Sequence, residues 1–308
     1  MAPNKAIKSK IEQFSDWWER KTRNIILPGL DGLSLHKLLI IYWGGIVKGT
    51  FSTRASSIAF SFFMAIFPFL LFVLNLIPYI TFIDDFQIKF LLFMDDNLLP
   101  PETSDFFGTI FEDIASTPRG GLLSVAFILS IFLMTNGVNA IFTGFEFSYH
   151  TKANRSIPRQ YAVAVGVSLI LALLLLTSVI GAVYMTYAID DLNDLGIVNS
   201  DGFGADLIKY IGFVILIYTA VAILYYFGTR EARQARFFSV GALFTTILIM
   251  ITTFLFSLYI TNFSNYNELY GSIGALLILM FYIWLNSNML LLGFELNASL
   301  IKLKKKIK

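Results

Sequence analysis

The sequence predicts an all-α polytopic membrane bundle: six transmembrane helices, N-terminal amphipathic or interfacial helices, and a short helical outer cap. Three observations carry this. The chain is 56% hydrophobic, only 14% charged, and has a mean hydropathy of +0.70; a soluble domain carries about 25% charge. Six intervals between successive charged residues are long enough for a hydrocarbon core about 30 Å thick, which takes about 20 apolar residues per helix. Finally, 20 of the 23 Lys and Arg fall in alternate connecting segments.

The charge-free intervals are Ala55 to Ile83, Gly120 to Phe145, Gln160 to Ile189, Tyr210 to Thr229, Phe237 to Asn267 and Leu269 to Phe294. They are too long for barrel strands and lack alternation, so they read as helices. The expected spans lie near 55–83, 120–147, 160–189, 208–229, 237–262 and 270–297, together forming a domain over 55–301. Leu38 to Val47 is short and contains Gly44 and Gly45, which favours an interfacial or re-entrant helix over a seventh span.

Residues 1–54 read as cytoplasmic or interfacial. Ile7, Ile11, Phe14 and Trp18 recur at helical spacing among lysines and arginines, a pattern that lies on anionic lipid or, more simply, forms a solvated terminal helix. Met1 to Phe14 lacks the apolar core of a cleavable signal peptide, so none is expected. Five lysines in 302–308 form a basic tail suited to headgroups. Basic residues concentrate in 1–54, 148–159, 230–236 and the tail, whereas the alternate loops hold only Lys89, Arg119 and Lys209. Cytoplasmic loops carry the excess of Lys and Arg, which places both termini in the cytoplasm.

The outer segment 84–119 has apolar residues set between acids and is interrupted by Pro100-Pro101, which suggests two short helices capping the bundle. Its acids Asp84, Asp85, Asp95, Asp96, Glu112 and Asp113 lack the spacing of a cation loop and read as a solvated acidic surface. In span one, Pro68 and Pro78 lie inside the apolar run and predict a helix bend, since each removes a backbone hydrogen bond. Gly271 and Gly274 open span six in Gly-Ser-Ile-Gly-Ala and predict close helix packing.

Spans two and six share a local echo. Asn139 to Phe147 and Asn288 to Leu296 both read N-x4-G-F-E-[FL], with Asn136 and Asn286 just upstream. Seven residues are nearly two turns, so each Asn shares a face with its Glu about 10 Å along the axis. A carboxylate inside a membrane is costly and marks a functional hypothesis. The candidate polar site is therefore Asn136, Asn139, Glu146, Asn286, Asn288, Glu295 and Asn297. The candidate cationic partners are Arg155, Arg159, Arg230, Arg233, Arg236 and the C-terminal lysines. Two readings stand side by side. In one, the echo helices meet in a pocket handling a cation, a proton or a polar substrate group; in the other, each Glu makes a structural salt bridge or reaches the headgroups while the Asn residues hold helices together.

Several chemistries are excluded. No cysteine is present, so disulfides, thiolate catalysis and cysteine-bound metals are absent. The only histidines are His36 and His150, and no Ser/His/Asp set or metal-ligand cluster assembles at one depth. No catalytic residue, cofactor or metal is assigned. The basic termini lack interleaved aromatics, so no nucleic-acid partner is expected; membrane lipids are, together with an unidentified small molecule, ion or lipid substrate.

With these residues in view, the chain resembles the YihY/BrkB family of bacterial inner-membrane proteins over roughly residues 33 to 301. The resemblance rests on Arg54-Ala55-Ser56-Ser57-Ile58-Ala59-Phe60 leading to Phe67-Pro68-Phe69-Leu70-Leu71, on Asn139 to Glu146, and on Tyr270-Gly271-Ser272-Ile273-Gly274-Ala275 continuing to Leu292-Gly293-Phe294-Glu295-Leu296-Asn297-Ala298. It implies six helices with both termini inside, and a role in transport or export, or alternatively a non-transporting envelope-integrity scaffold linked to serum resistance and virulence. An older label, ribonuclease BN, travels with the family as a misassignment; a metal-dependent nuclease needs clustered ligands facing RNA, and the acid clusters here face away from the cytoplasm. After Glu146 the chain reads Phe147-Ser148-Tyr149-His150, less basic than the family, so no salt bridge is expected from that turn.

Overall fold

A helix that is apolar around its whole circumference has no water-facing side, and its outward side chains need lipid. The computed structural model describes residues 51–76, 120–148, 155–194, 203–229, 237–262 and 272–307, and among them every regular element is an α-helix. In chain order these are α1 (Phe51–Leu76), α2 (Gly120–Glu146), α3 (Ile157–Asp194), α4 (Phe203–Gly228), α5 (Val240–Asn262) and α6 (Ser272–Ile307). Large apolar side chains point outward on all six, among them Phe60, Ile128, Leu173, Ile215, Phe254 and Phe281.

Among the described residues, five helices are long and apolar enough to cross a membrane: Ser124–Glu146, Ile157–Met185, Tyr210–Gly228, Val240–Ile260 and Leu276–Lys302. The remaining helix, α1, has 26 residues, about 39 Å at 1.5 Å per residue. It runs on through Pro68, whose ring removes the bond to the carbonyl four residues back. Pro78, Gly271, Arg230, Arg233, Arg236, the acidic segment 84–119 and the segment 1–50 lie outside the described residues; Gly274 falls in the first turn of α6. Several helices outrun their apolar intervals; α4 already starts at Phe203, ahead of Asp206 and Lys209. α3 continues through Asp190 and Asp191 to Asp194, and α6 carries the lysine-rich tail to Ile307 as uninterrupted helix.

Each helix packs against its neighbours in the chain, and α6 returns to α1, closing a ring; α2 also touches α4 and α6 across the middle. The α1–α2 seam is the most extensive. The main core gathers at the end where α2 finishes: Ile58, Ile141, Phe142, Phe145, Tyr225, Leu291 and Phe294 are buried there together. A smaller cluster of Phe69, Phe72 and Ala126 lies farther along α1.

Close approach at the main core depends on glycine. A Cβ on Gly293 of α6 would overlap Thr245 Oγ1 and lie 2.7 Å from the Tyr225 hydroxyl and 2.9 Å from the Gly241 carbonyl. One on Gly241 of α5 would lie 2.6 Å from Asn297 Cβ and 2.7 Å from the Gly293 carbonyl. The backbones of α5 and α6 therefore touch at this pair, the small-residue contact that membrane helices use for association. Tyr225 seals it from α4, its hydroxyl donating to the Leu290 carbonyl at 2.6 Å.

Candidate functional site

The site is built where the two echoed G-F-E segments meet. Phe145 and Phe294 stack face to face, centroids 4.0 Å apart and planes within 7°. Tyr225 meets both edge-on, at 5.5 and 5.7 Å. This aromatic cluster locks α2, α4 and α6 together and fixes where the flanking glutamates emerge.

Glu295 is fully buried, at 0% exposure. Its cation is Arg54, in the first turn of α1: Nη2 donates to Oε1 at 3.3 Å. Arg54 Nη1 donates to the Gly144 carbonyl at 2.7 Å, so one guanidinium joins α1 to both echoes. The Ser148 hydroxyl donates to Glu295 Oε2 at 2.9 Å. A buried carboxylate requires this enclosure: unpaired, it would forfeit several kcal/mol of hydration. The turn after Glu146 thus contributes a hydroxyl, in keeping with the absence of a basic residue there.

Glu146 is half-buried and held differently. The Arg155 backbone N–H donates to its Oε1 at 3.2 Å. The Arg155 guanidinium donates to the Phe227 carbonyl at 2.7 Å, capping the last turn of α4. Gln160 lies between Glu146 and the Asn139–Thr143 pair. With its amide turned so that the NH2 donates to the two Glu146 oxygens at 3.2 and 3.0 Å, its carbonyl accepts from the Thr143 hydroxyl at 3.1 Å; in the opposite orientation the NH2 donates instead to Asn139 Oδ1 at 2.9 Å. One helix turn away, the Tyr161 hydroxyl donates to Asn136 Oδ1 at 3.1 Å. Asn136, Asn139 and Glu146 therefore form one polar seam between α2 and α3.

The corresponding residues on α6 do not form a matching seam. The Asn286 amide donates to the Tyr282 carbonyl at 2.9 Å and that of Asn288 to the Trp284 carbonyl at 2.7 Å, both one turn back on the same helix. Asn297 packs against Gly241. Asn286 Oδ1 and Ser299 Oγ are buried without a hydrogen-bond partner among the described residues. Of the seven candidates, the structure thus joins three on α2 to α3, joins Glu295 to α1 and α2, and leaves three on α6 serving their own helix or its packing. The participants that sequence spacing does not reveal are Arg54, Ser148, Gln160 and Tyr225. The one available signal for Arg54 is its position as the last charge before span one.

No group of three or more potential metal ligands among His, Cys, Asp and Glu occurs among the described residues. The arrangement offers a neutralised, water-excluded ion pair at a helix junction, flanked by hydroxyl and amide groups.

Residues 43–307 match the family described as virulence factor BrkB. The chain is 29% identical over 265 residues to the ribonuclease-like protein YfkH of Bacillus subtilis (strain 168), covering 82% of this chain and 91% of that protein. It is 20% identical over 264 residues to a UPF0761 membrane protein of Aggregatibacter aphrophilus (strain NJ8700), covering 86% and 92%. A UPF0761 membrane protein of Psychrobacter sp. (strain PRwf-1) is 20% identical over 265 residues, which cover 83% of this chain and 47% of that longer protein. No solved structure matches. An all-helical, multi-pass chain that matches one family across nearly all its length, through the segment holding both G-F-E motifs, belongs to the BrkB family of bacterial membrane proteins.

Proposed function

We propose that this protein resides in the bacterial inner membrane with both termini cytoplasmic, and that it moves or handles a lipid or small polar substrate. The Arg54–Glu295 pair supports this reading. A buried ion pair is a poor device for stability, because the cost of dehydrating two charges rivals their attraction. Here it fastens α6 to α1, the one seam in the ring that joins helices distant in sequence. A pair at that place is a releasable joint, and by the basic-residue count it lies at the cytoplasmic end of the bundle.

The test is reconstitution into vesicles with a fluorescent lipid analogue and a panel of labelled ions and amphiphiles, comparing wild type with Glu295→Gln and Glu146→Gln. Loss of flux or binding in a folded variant supports the reading; unchanged activity in both removes the glutamates from it. A second reading, a non-transporting scaffold for envelope integrity or virulence, draws support from Asn286 and Asn288, whose amides bond to their own helix. On that reading, deleting 86–113 abolishes the cellular phenotype while the glutamates are dispensable.

A further inference from the structure

The two echo glutamates differ in how their charge is met. Glu295 has a cation, Arg54. Glu146 is half-buried and, among the described residues, forms no ion pair; its partners are the Arg155 backbone N–H and the Gln160 amide. Gln160 is 7% exposed, so its amide has to find its partners within the α2–α3 seam. One end of that amide lies 2.9 Å from Asn139 Oδ1 and 3.1 Å from the Thr143 hydroxyl. The other end lies 3.2 and 3.0 Å from Glu146 Oε1 and Oε2. With the NH2 toward Asn139, the Gln160 carbonyl faces two carboxylate oxygens and no hydrogen lies between them. With the NH2 toward Glu146, the carbonyl faces Asn139 Oδ1 instead, again oxygen against oxygen. Acceptors held against one another away from water carry the cost of an unmade hydrogen bond.

Two arrangements satisfy the whole chain of groups. In the first, Glu146 is ionised, Gln160 donates its NH2 to the carboxylate, and the Asn139 amide turns so that its own NH2 donates to the Gln160 carbonyl. In the second, Glu146 carries a proton and donates it to the Gln160 carbonyl, while the Gln160 NH2 donates to Asn139 Oδ1 and Thr143. Turning one amide without the other sets acceptor against acceptor or donor against donor. The two arrangements therefore differ by one proton and by the direction of each hydrogen bond from Glu146 to Asn139.

We propose that Glu146 is a proton-binding site, and that the Glu146–Gln160–Asn139 chain is a two-state relay that carries its protonation across the α2–α3 seam. The proton comes from solvent at the end of the bundle where α2 finishes and adds to Glu146 Oε2. The new O–H donates to the Gln160 carbonyl, the carboxylate charge is lost, and no other covalent bond changes. Ionisable side chains in membrane helices serve as proton relays; here two amides extend the reach of one carboxyl to Asn139, nearly two turns back along α2. The inference rests on the handling reading and names the ion that accompanies it.

The other charged groups of the helices packed on α2 are committed elsewhere or distant. Arg54 of α1 and Glu295 of α6 hold one another, and the next charge on α6 is Lys302, about two turns on. The Arg155 guanidinium donates to the Phe227 carbonyl and lies 6.0 Å from the centroid of the Phe142 ring. Arg159 of α3 is exposed, and the Tyr161 hydroxyl donates to Asn136. α4 brings Tyr225, and no charge between Tyr210 and Thr229.

The experiment uses the full chain in nanodiscs of phosphatidylethanolamine and phosphatidylglycerol, isotope-labelled in the side-chain amides of its four glutamines, Gln13, Gln87, Gln160 and Gln234. Infrared difference spectra and the Gln160 amide resonance, assigned by its loss in Gln160→Leu, are followed from neutral to mildly acidic pH. In wild type a deuterium-sensitive carboxylic acid band grows as pH falls, and the Gln160 resonance shifts with the same midpoint. Both changes are lost in Glu146→Gln, whose amide stands in for the protonated carboxyl and holds the Gln160 resonance at its acid position at every pH. If that variant does not fold, Glu146→Asp makes the comparison and moves the carboxyl band and the Gln160 midpoint together. A histidine titrates near neutral pH, so His150→Asn is the control, in which both changes persist. A static Gln160 resonance, a shift that survives Glu146→Gln, or its loss in His150→Asn overturns the inference. Flux of the vesicle probes under an imposed pH gradient is read in parallel. A Glu146-dependent Gln160 shift without flux sustains the proton site and counts against handling; flux with a static Gln160 resonance leaves the handling reading standing and the relay wrong.

Discussion

Phe145 and Phe294 stack in parallel with centroids 4.0 Å apart, each placed between a glycine and a glutamate in the same G-F-E order. The two echoed segments are thus in direct contact. Yet their glutamates have different surroundings: Glu295 is enclosed by Arg54 and Ser148, whereas Glu146 meets the Arg155 backbone and Gln160. A shared motif has produced a shared aromatic joint and two unlike carboxylates.

That joint should be energetically coupled. Aromatic pairs contribute about 0.5–1.5 kcal/mol beyond their packing. Phe145→Leu and Phe294→Leu should each lower thermal stability in detergent, and the double variant should lose less than the sum by about that amount. Additive losses would show that the stack contributes only packing.

Arg54 and Glu295 make a sharper case. Removing one member of a buried pair typically costs about 3–5 kcal/mol, because the survivor is left charged and dehydrated, while replacing both with apolar residues is often neutral. Arg54→Met and Glu295→Leu should each unfold at markedly lower temperature than wild type, and the double variant should recover most of the loss. Failure of the double variant to recover would mean that the Arg54–Gly144 bond, not the charge pair, holds α1 in place.

The helices were legible because lipid imposes a simple requirement: a run of about 20 residues without charge. The intervals from Gly120, Gln160, Tyr210, Phe237 and Leu269 each lie within or overlap one of the five helices with spanning character. The G-F-E echo was legible as a spacing. The cation at Glu295 was not, because Arg54 lies 241 residues away and only closure of the ring brings it there. Candidate partners drawn from neighbouring loops were the natural expectation, and Arg155 does approach Glu146, through its backbone N–H. The asparagines of α6 show a further limit. Periodicity places Asn288 on the face of Glu295, but whether its amide serves a neighbour or its own helix depends on the local geometry of the Trp284 carbonyl.

Glycine substitutions should separate packing positions from lipid-facing ones. Gly293→Ala puts a methyl into Thr245, the Tyr225 hydroxyl and the Gly241 backbone at once, and Gly241→Ala meets Asn297 and the Gly293 carbonyl. Backbone cannot yield as a flexible side chain does, so both variants should lose several kcal/mol and give little monodisperse protein. Thr245→Ala should restore Gly293→Ala only in part, because the Gly241 carbonyl remains. Gly166→Ala and Gly181→Ala meet nothing within 4 Å and should be neutral or stabilising by up to about 1 kcal/mol from helix propensity. Size-exclusion profiles and melting curves of the four variants make the comparison.

The proposed orientation can be tested without first removing native thiols, since the chain has no cysteine. Loops on the cytoplasmic side carry the positive charge, and the tail that continues α6 contains five lysines. Lys302→Cys should therefore react with an impermeant maleimide only after the inner membrane is opened. Asp201→Cys, in a connection that carries acids and no Lys or Arg between Asp190 and Ala205, should react from the periplasmic side once the outer barrier, if present, is breached. The two sites bracket α4, α5 and α6, three helices with spanning character, so an odd number of crossings places them on opposite faces. Labelling of both from one side would mean that one of these helices does not cross, and would remove the cytoplasmic assignment of the Arg54–Glu295 joint with it.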